Sequence, residues 1–288
     1  MKYLISLLIF NFSFSQIIKV LDNETKLPIK FAKLIFFENE KNVMGDYTDE
    51  SGAFSLNINT INSIEISCQG YENQIFELKK QDNIFFLNKL LIILKEVKIS
   101  NKPKKEKIIE NKGKNSIEAD FWISGGQDYA VFLENQFKKE VFLKSFEFNV
   151  ARIDIKTNYR LHFYKSINID GNNDEDLITD NKIYTLEVNQ TGKVEIDLTE
   201  LNIKIPEGGV YVCIENISPK LKYDFLINGK SELKNIFSLK AISSKNINNV
   251  FYRNAFETSN KKWNKGKNYN NRKMGMIIKF TLKVIVQD

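Results

Sequence analysis

Tyr159-Arg160-Leu161-His162-Phe163-Tyr164 is the stretch whose reading decides the fold. Aromatic side chains suit a pleated strand, and the two-residue period puts His162 on the face opposite Leu161 and Phe163. The same pattern continues on both sides. Leu143 to Ile153 alternates loosely through Phe146, Phe148 and Val150. Thr191-Gly192 turns into Val194-Glu195-Ile196-Asp197-Leu198, and Pro206-Glu207-Gly208-Gly209 turns into Val210-Tyr211-Val212-Cys213-Ile214-Glu215. Tyr223 to Ile227 is followed by Asn228-Gly229, a strong hairpin signal. No window keeps a 3.6-residue period for three turns, so a helical core is not supported. Residues 116–288 are therefore expected to form a jelly-roll-like antiparallel β-sandwich.

The first third of the chain uses shorter pieces. Ile17 to Leu21 leads into the turn-forming Asp22-Asn23-Glu24-Thr25, and Phe31 to Phe37 follows. Phe54-Ser55-Leu56-Asn57-Ile58 and Ile64-Glu65-Ile66-Ser67-Cys68 alternate apolar and polar, as half-buried strands do. Further strands are expected near 74–78 and 84–92, and a last one over Leu94 to Ile99. Gly52 would supply the permissive backbone of a hairpin turn, and Gly70 would let the chain bend before Tyr71 packs. Together these predict a small seven-stranded β-sandwich over residues 16–100 and an all-β chain.

Several of these residues carry a resemblance. They are Asp22 and Thr25 after the opening strand, Leu27-Pro28 before Ala32, the run Thr48 to Leu56 through Gly52, Ile66-Ser67 with Gly70-Tyr71-Glu72, and the closing Leu94 to Ile99. In this order they resemble the carboxypeptidase regulatory-like (transthyretin-like) domain found at the N-terminus of exported Bacteroidetes proteins. The resemblance implies a spacer or protein-contact module without catalytic residues. Residues 116–288 are more weakly similar to uncharacterised β-sandwich domains that accompany it.

Between the two lies 101–115, a lysine-rich, polar stretch that reads as a linker. At the start, Met1-Lys2-Tyr3, the apolar Leu4 to Phe14 and Ser13-Phe14-Ser15 read as a signal peptide over 1–15, cut before Gln16. No cysteine follows the cut, so a lipid anchor is not indicated, and no later run reaches transmembrane length. The expected address is the periplasm, the outer-membrane periphery or the extracellular space.

Composition narrows the function classes. Lysines and arginines total 42 against 36 acidic residues, a modest net charge of +6. Lysine dominates and no concentrated basic stripe is present, which argues against a nucleic-acid partner. Two cysteines and one histidine show no zinc spacing, and Cys68 and Cys213 read as small buried hydrophobes. No G-x-S-x-G elbow, H-E-x-x-H helix or phosphate-binding glycine loop occurs. A lone histidine without a nucleophile motif reads as a structural or surface residue.

No cofactor is expected. A weak calcium candidate is the loop with Asp170, Asn172, Asp174 and Asp176, which is rich in oxygen ligands but lacks the EF-hand spacing. Trp122, Tyr129, Trp263 and Tyr269 lie in polar, turn-rich surroundings and are the candidates for ligand or partner contact. The expected function is a non-catalytic envelope binding or scaffolding protein with a protein partner at the outer membrane. The alternative is a carbohydrate-binding module. A glycan hydrolase using a carboxylate pair ranks last.

Overall fold

The computed structural model describes residues 16–56, 60–79, 83–90, 104–169, 174–218, 222–225, 231–244, 249–256, 262–266 and 275–287. The expected signal peptide, the expected strand Leu94 to Ile99, Asp170, Asn172 and Tyr269 lie outside these residues. What is described is all-β, with several sheets and one 3-10 turn at Thr199–Leu201. The chain divides into two compact units, Met1–Lys89 and Leu90–Asp288.

Seven strands are described in the first unit: β1 (Gln16–Asp22), β2 (Lys33–Glu38), β3 (Lys41–Tyr47), β4 (Ala53–Leu56), β5 (Ser63–Ser67), β6 (Gln74–Glu77) and β7 (Ile84–Leu87). They form a three-stranded sheet, β4-β1-β7, and a four-stranded sheet, β3-β2-β5-β6. Ile18, Val20 and Phe85 from one sheet and Leu34, Phe36, Ile64 and Ile66 from the other share one core. Each such burial is worth roughly 1.5–3 kcal/mol. The Gly52 turn is not a hairpin, because β3 and β4 belong to different sheets and the turn carries the chain between them. Gly52 has φ +70, and a Cβ there would sit 2.9 Å from the Val20 carbonyl oxygen. Gly70 also has positive φ, and Tyr71 then packs against the core.

The second unit contains β8 (Lys104–Glu110), β9 (Lys114–Trp122), β10 (Gln127–Leu133), β11 (Val141–Ile153), β12 (Thr157–Ser166), β13 (Glu175–Asp176), β14 (Tyr184–Leu186), β15 (Gly192–Asp197), β16 (Lys204–Ile205), β17 (Val210–Asn216), β18 (Lys222–Phe225), β19 (Ser231–Lys234), β20 (Phe237–Ser244), β21 (Val250–Asn254), β22 (Asn264–Lys265), β23 (Gly275–Ile278) and β24 (Thr281–Gln287). A seven-stranded sheet runs β13-β12-β17-β10-β21-β22, with β14 also on β12. An eight-stranded sheet runs β23-β20-β11-β24-β8, with β15 and β16 on β11 and β9 on β20. Val131, Leu161, Phe163 and Val212 of the first and Phe146, Phe148, Leu239 and Leu282 of the second enter a single core. Phe146 meets Phe163 edge-on across it, with ring centres 6.1 Å apart. The loose alternation of β11 reflects two register shifts, at Leu143/Ser145 and Val150/Arg152. β18 and β19 pair antiparallel on either side of Asn228-Gly229.

The expected linker is corrected. Lys104–Glu110 is a strand, paired antiparallel to β24 from Glu110↔Thr281 to Lys104↔Gln287. It closes one edge of the eight-stranded sheet and buries Ile109. Lys105, Glu106, Lys107 and Glu110 stay in solvent, the composition by which an exposed sheet edge avoids pairing with other chains. Local polarity therefore mimics a connector.

Candidate functional site

The side of the seven-stranded sheet away from the shared core carries the densest chemistry among the described residues. Register sets its pattern. Arg160 on β12 lies opposite Glu215 on β17, Glu215 opposite Asp128 on β10, and Asp128 opposite Arg253 on β21. The next row is His162, Cys213, Ala130 and Phe251. Adjacent strands thus present a charged row beside a mostly apolar one, and two-residue alternation keeps both rows off the core.

Every charged group in this face has a partner. Arg160 Nη1 donates to Glu215 Oε2 at 2.9 Å, and its Nε donates to Asn181 Oδ1 at 2.8 Å. His162 contacts Asp176 Oδ2 through Nδ1 at 2.7 Å and Glu215 Oε2 through Nε2 at 3.1 Å. Arg253 donates to Asp128 Oδ2 and Asp174 Oδ2, both at 2.6 Å. Its guanidinium lies 4.2 Å from the centre of the Trp263 ring, whose Nε1 donates to Asp174 Oδ2 at 3.0 Å. Arg160, Asp128, Glu215 and Trp263 are all at most 5 % exposed. Burial works to lower the His162 pKa, but the charge of Asp176 and hydrogen bonds to Asp176 and Glu215 outweigh it and raise the imidazole to about 9. Both ring nitrogens are then donors.

Cys213 lies opposite His162 in the ladder, and Asp176 stands behind the imidazole. Thiol, imidazole and carboxylate are therefore gathered in one place. Their electrostatics oppose a nucleophile. The thiol is fully buried, and burial first, then the negative charge of Asp128, push its pKa well above the ordinary value. A reactive thiolate needs electropositive, partly exposed surroundings. The second imidazole nitrogen is spent on Glu215. This constellation binds the sheet's outer layer together.

The sequence-selected residues meet different fates. Trp263 is 2 % exposed, the lid on Arg253 and not a surface platform. Tyr129 is also 2 % exposed; it lies in the shared core and accepts the Ile278 N–H through its hydroxyl at 3.3 Å. Both are corrected from surface contacts to packing residues. Trp122 is 48 % exposed at the end of β9, opposite Ser238 in the eight-stranded sheet, whereas Trp263 immediately precedes β22 of the seven-stranded sheet. Two of the four calcium-candidate positions, Asp174 and Asp176, are described. Asp174 is held by Arg253 and Trp263, and Asp176 by His162 and the N–H groups of Phe163 and Ile178. Among the described residues no group of three or more His, Cys, Asp or Glu side chains could hold a metal ion. Sequence reading missed Arg160, Asp128, Glu215 and Arg253. A signal existed: the chain holds only four arginines, and two of them are here. Arginine, with its planar donor fork, suits a buried ion pair better than lysine does.

No family model matches the chain, and no curated protein matches it. Distantly similar solved structures include two of unlike kinds. One holds the cysteine protease and lectin-like domains of Cwp84, a surface-layer-associated protein of Clostridium difficile, at 10 % identity and a TM-score of 0.37, over 94 % of this chain and 62 % of that one. The other is the viral particle of IBDV, at 8 % identity and a TM-score of 0.25, over 90 % of this chain and 58 % of that one. This chain thus spans less than two thirds of either, and likeness at this level carries no argument about activity.

Proposed function

We propose that this chain is an exported, non-catalytic binding or scaffolding protein of the bacterial envelope that holds a protein partner through its first unit. The observation that carries the reading is the outward face of the three-stranded sheet. Lys19 pairs with Ile84 and Leu21 with Phe86, so these side chains share the face turned from the core. Ile17 is 51 %, Ile84 52 % and Phe86 37 % exposed there, and Leu27 nearby is 65 % exposed. Lys26 sits over the Phe86 ring at 4.4 Å, and exposed Lys19 lies among the apolar side chains. An apolar centre bordered by ammonium groups suits a partner with an apolar patch and an acidic rim.

Two further points support the reading. The acid and base groups gathered on the seven-stranded sheet are buried and spent on each other. The residues before Gln16 carry the composition of an export signal. The test is capture from solubilised outer membranes with the mature chain as bait, alongside an Ile84→Lys, Phe86→Lys variant. Exposed apolar anchors at an interface centre cost more than about 1 kcal/mol each when lost, so the variant should retain at least about tenfold less of the partner. Recovery of free monomer alone, or equal recovery by both baits, refutes the proposal.

A further inference from the structure

A cavity of about 370 Å³ opens at one rim of the second unit, between the ends of β8, β10 and β20 and the middle of β23. Its floor is Ile109, Val131, Leu133 and Ile277, each at most 2 % exposed. Its upper lining is polar: Glu110, Lys112, Glu134, Gln136 and Asn249. The cavity is therefore apolar on one side and hydrogen-bonding on the other.

The walls are fixed by the protein's own hydrogen bonds. Asn111 Nδ2 donates to the Ile278 carbonyl at 2.7 Å, and its Oδ1 accepts the Phe280 N–H at 2.8 Å. Ser244 Oγ donates to the Lys112 carbonyl at 2.9 Å. A Cβ on Gly113 would sit 2.7 Å from the Ser243 carbonyl oxygen, so the 111–113 turn lies close against β20. On the facing side, Asn135 Nδ2 donates to the carbonyls of Lys139 and Pro206 at 2.8 and 2.9 Å. Gln136 Nε2 donates to the Ile108 carbonyl at 3.1 Å, which leaves its side-chain oxygen as an acceptor. Such preformed walls reduce the ordering cost of binding.

The chemistry of the lining selects a ligand class. Glu110 is paired with Lys279 at 3.2 Å, and the remaining Glu134 carboxylate and Lys112 ammonium balance each other. A site without surplus charge does not select an anion or a cation. Carboxylate and amide oxygens accept hydrogen bonds, while ammonium and amide nitrogens donate them. A hydroxyl group does both, and several hydroxyls on one ring match this mixture. The apolar floor suits the C–H face of the same ring. The volume lies near the lower limit for small-molecule pockets, which fits one or two rings.

We propose that this rim cavity binds a neutral polyhydroxylated ring, a mono- or disaccharide, with Glu134 and Lys112 as its principal polar contacts. The proposal is independent of the protein partner assigned to the first unit. It also moves the sugar site away from the aromatic side chains that sequence alone singled out.

The test is titration of the full chain by saturation-transfer NMR and calorimetry with glucose, galactose, mannose, N-acetylglucosamine, maltose and cellobiose, and with glucuronate as the anionic comparison. At least one neutral sugar should bind. Glu134→Gln and Lys112→Met should each weaken it about tenfold, the loss of one charge-assisted hydrogen bond, while Trp122→Ala leaves it unchanged. Both side chains belong to exposed residues, so unchanged thermal melts serve as the folding control. Failure of every neutral sugar to bind, tighter binding of glucuronate, indifference to both cavity variants, or loss of binding in Trp122→Ala each overturns the proposal.

Discussion

Replacing Arg253 by methionine should destabilise the second unit by about 3–5 kcal/mol, the cost of breaking a buried ion pair by removing one partner. Arg253 neutralises two carboxylates, Asp128 and Asp174, whose side chains are 3 % and 9 % exposed. A pair of charges about 4 Å apart gains about 4 kcal/mol at an effective dielectric of about 20, most of which offsets the desolvation of both groups. Without the guanidinium that desolvation stands uncompensated. Asp128 is the more exposed to this loss in energetic terms, because its Oδ1 is buried and accepts no hydrogen bond. Methionine fills much of the volume against Trp263, so lost packing is the smaller part. The assay is urea unfolding followed by tryptophan fluorescence, since both tryptophans, Trp122 and Trp263, belong to this unit. The charge argument is isolated by a cycle with Asp128→Asn. If Arg253 acts by neutralising Asp128, the double variant should lose less than the sum of the single losses, by about 0.5–3 kcal/mol. A loss below about 1 kcal/mol for Arg253→Met, or strict additivity in the cycle, refutes the reasoning.

Two further outcomes follow from the titrating groups. His162 is raised from 6.5 to about 9 in the folded chain, so its contribution is fully present below about pH 6.5 and is lost as pH rises through about 9. The unfolding free energy of the second unit, from urea titrations, should fall over that window by an amount on the order of 3 kcal/mol, and His162→Gln should flatten the profile; a parallel fall in that variant would contradict the assignment. In the first unit, burial acts to raise Asp22, but the Thr25 N–H, the Tyr71 hydroxyl and the Glu24 N–H hold it down at about 2. That contribution is present above about 3.8 and is lost as pH falls through about 2. Tyr71→Phe removes a 3.0 Å hydrogen bond to Asp22 Oδ2, and should cost about 1 kcal/mol while moving the Asp22 carboxyl titration upward by carbon-detected NMR.

Much of the strand pattern was legible because alternation is a local property. The runs around Phe54, Ile64, Tyr159 and Val210 are strands β4, β5, β12 and β17. The 101–115 stretch was misread for a physical reason. An edge strand pairs on one side only, so most of its side chains can be charged, and Ile108-Ile109 was too short an apolar signal to outweigh six lysines. Gly52 was correctly read as a turn residue, but which strands it joins depends on sheet assignment, and pairing partners lie far apart in sequence. The candidate site was legible only in fragments. Asp174, Asp176, His162 and Trp263 each attracted attention separately, under calcium, catalysis and ligand or partner contact. They are one buried cluster.

By itself the sequence determined which side chains share a face. In Tyr159 to Tyr164, covalent geometry alone sends Arg160, His162 and Tyr164 one way and Tyr159, Leu161 and Phe163 the other. It could not determine whether the first set meets water. Only the tertiary structure decided that, by laying Asp174, Asp176 and Trp263 over the sheet, with Trp263 drawn from about a hundred residues downstream. Burial is a property of what covers a face, and the covering segments are chosen by long-range packing that no local period records. That choice turned a solitary histidine and a pair of turn-loop carboxylates into a charged layer held out of solvent.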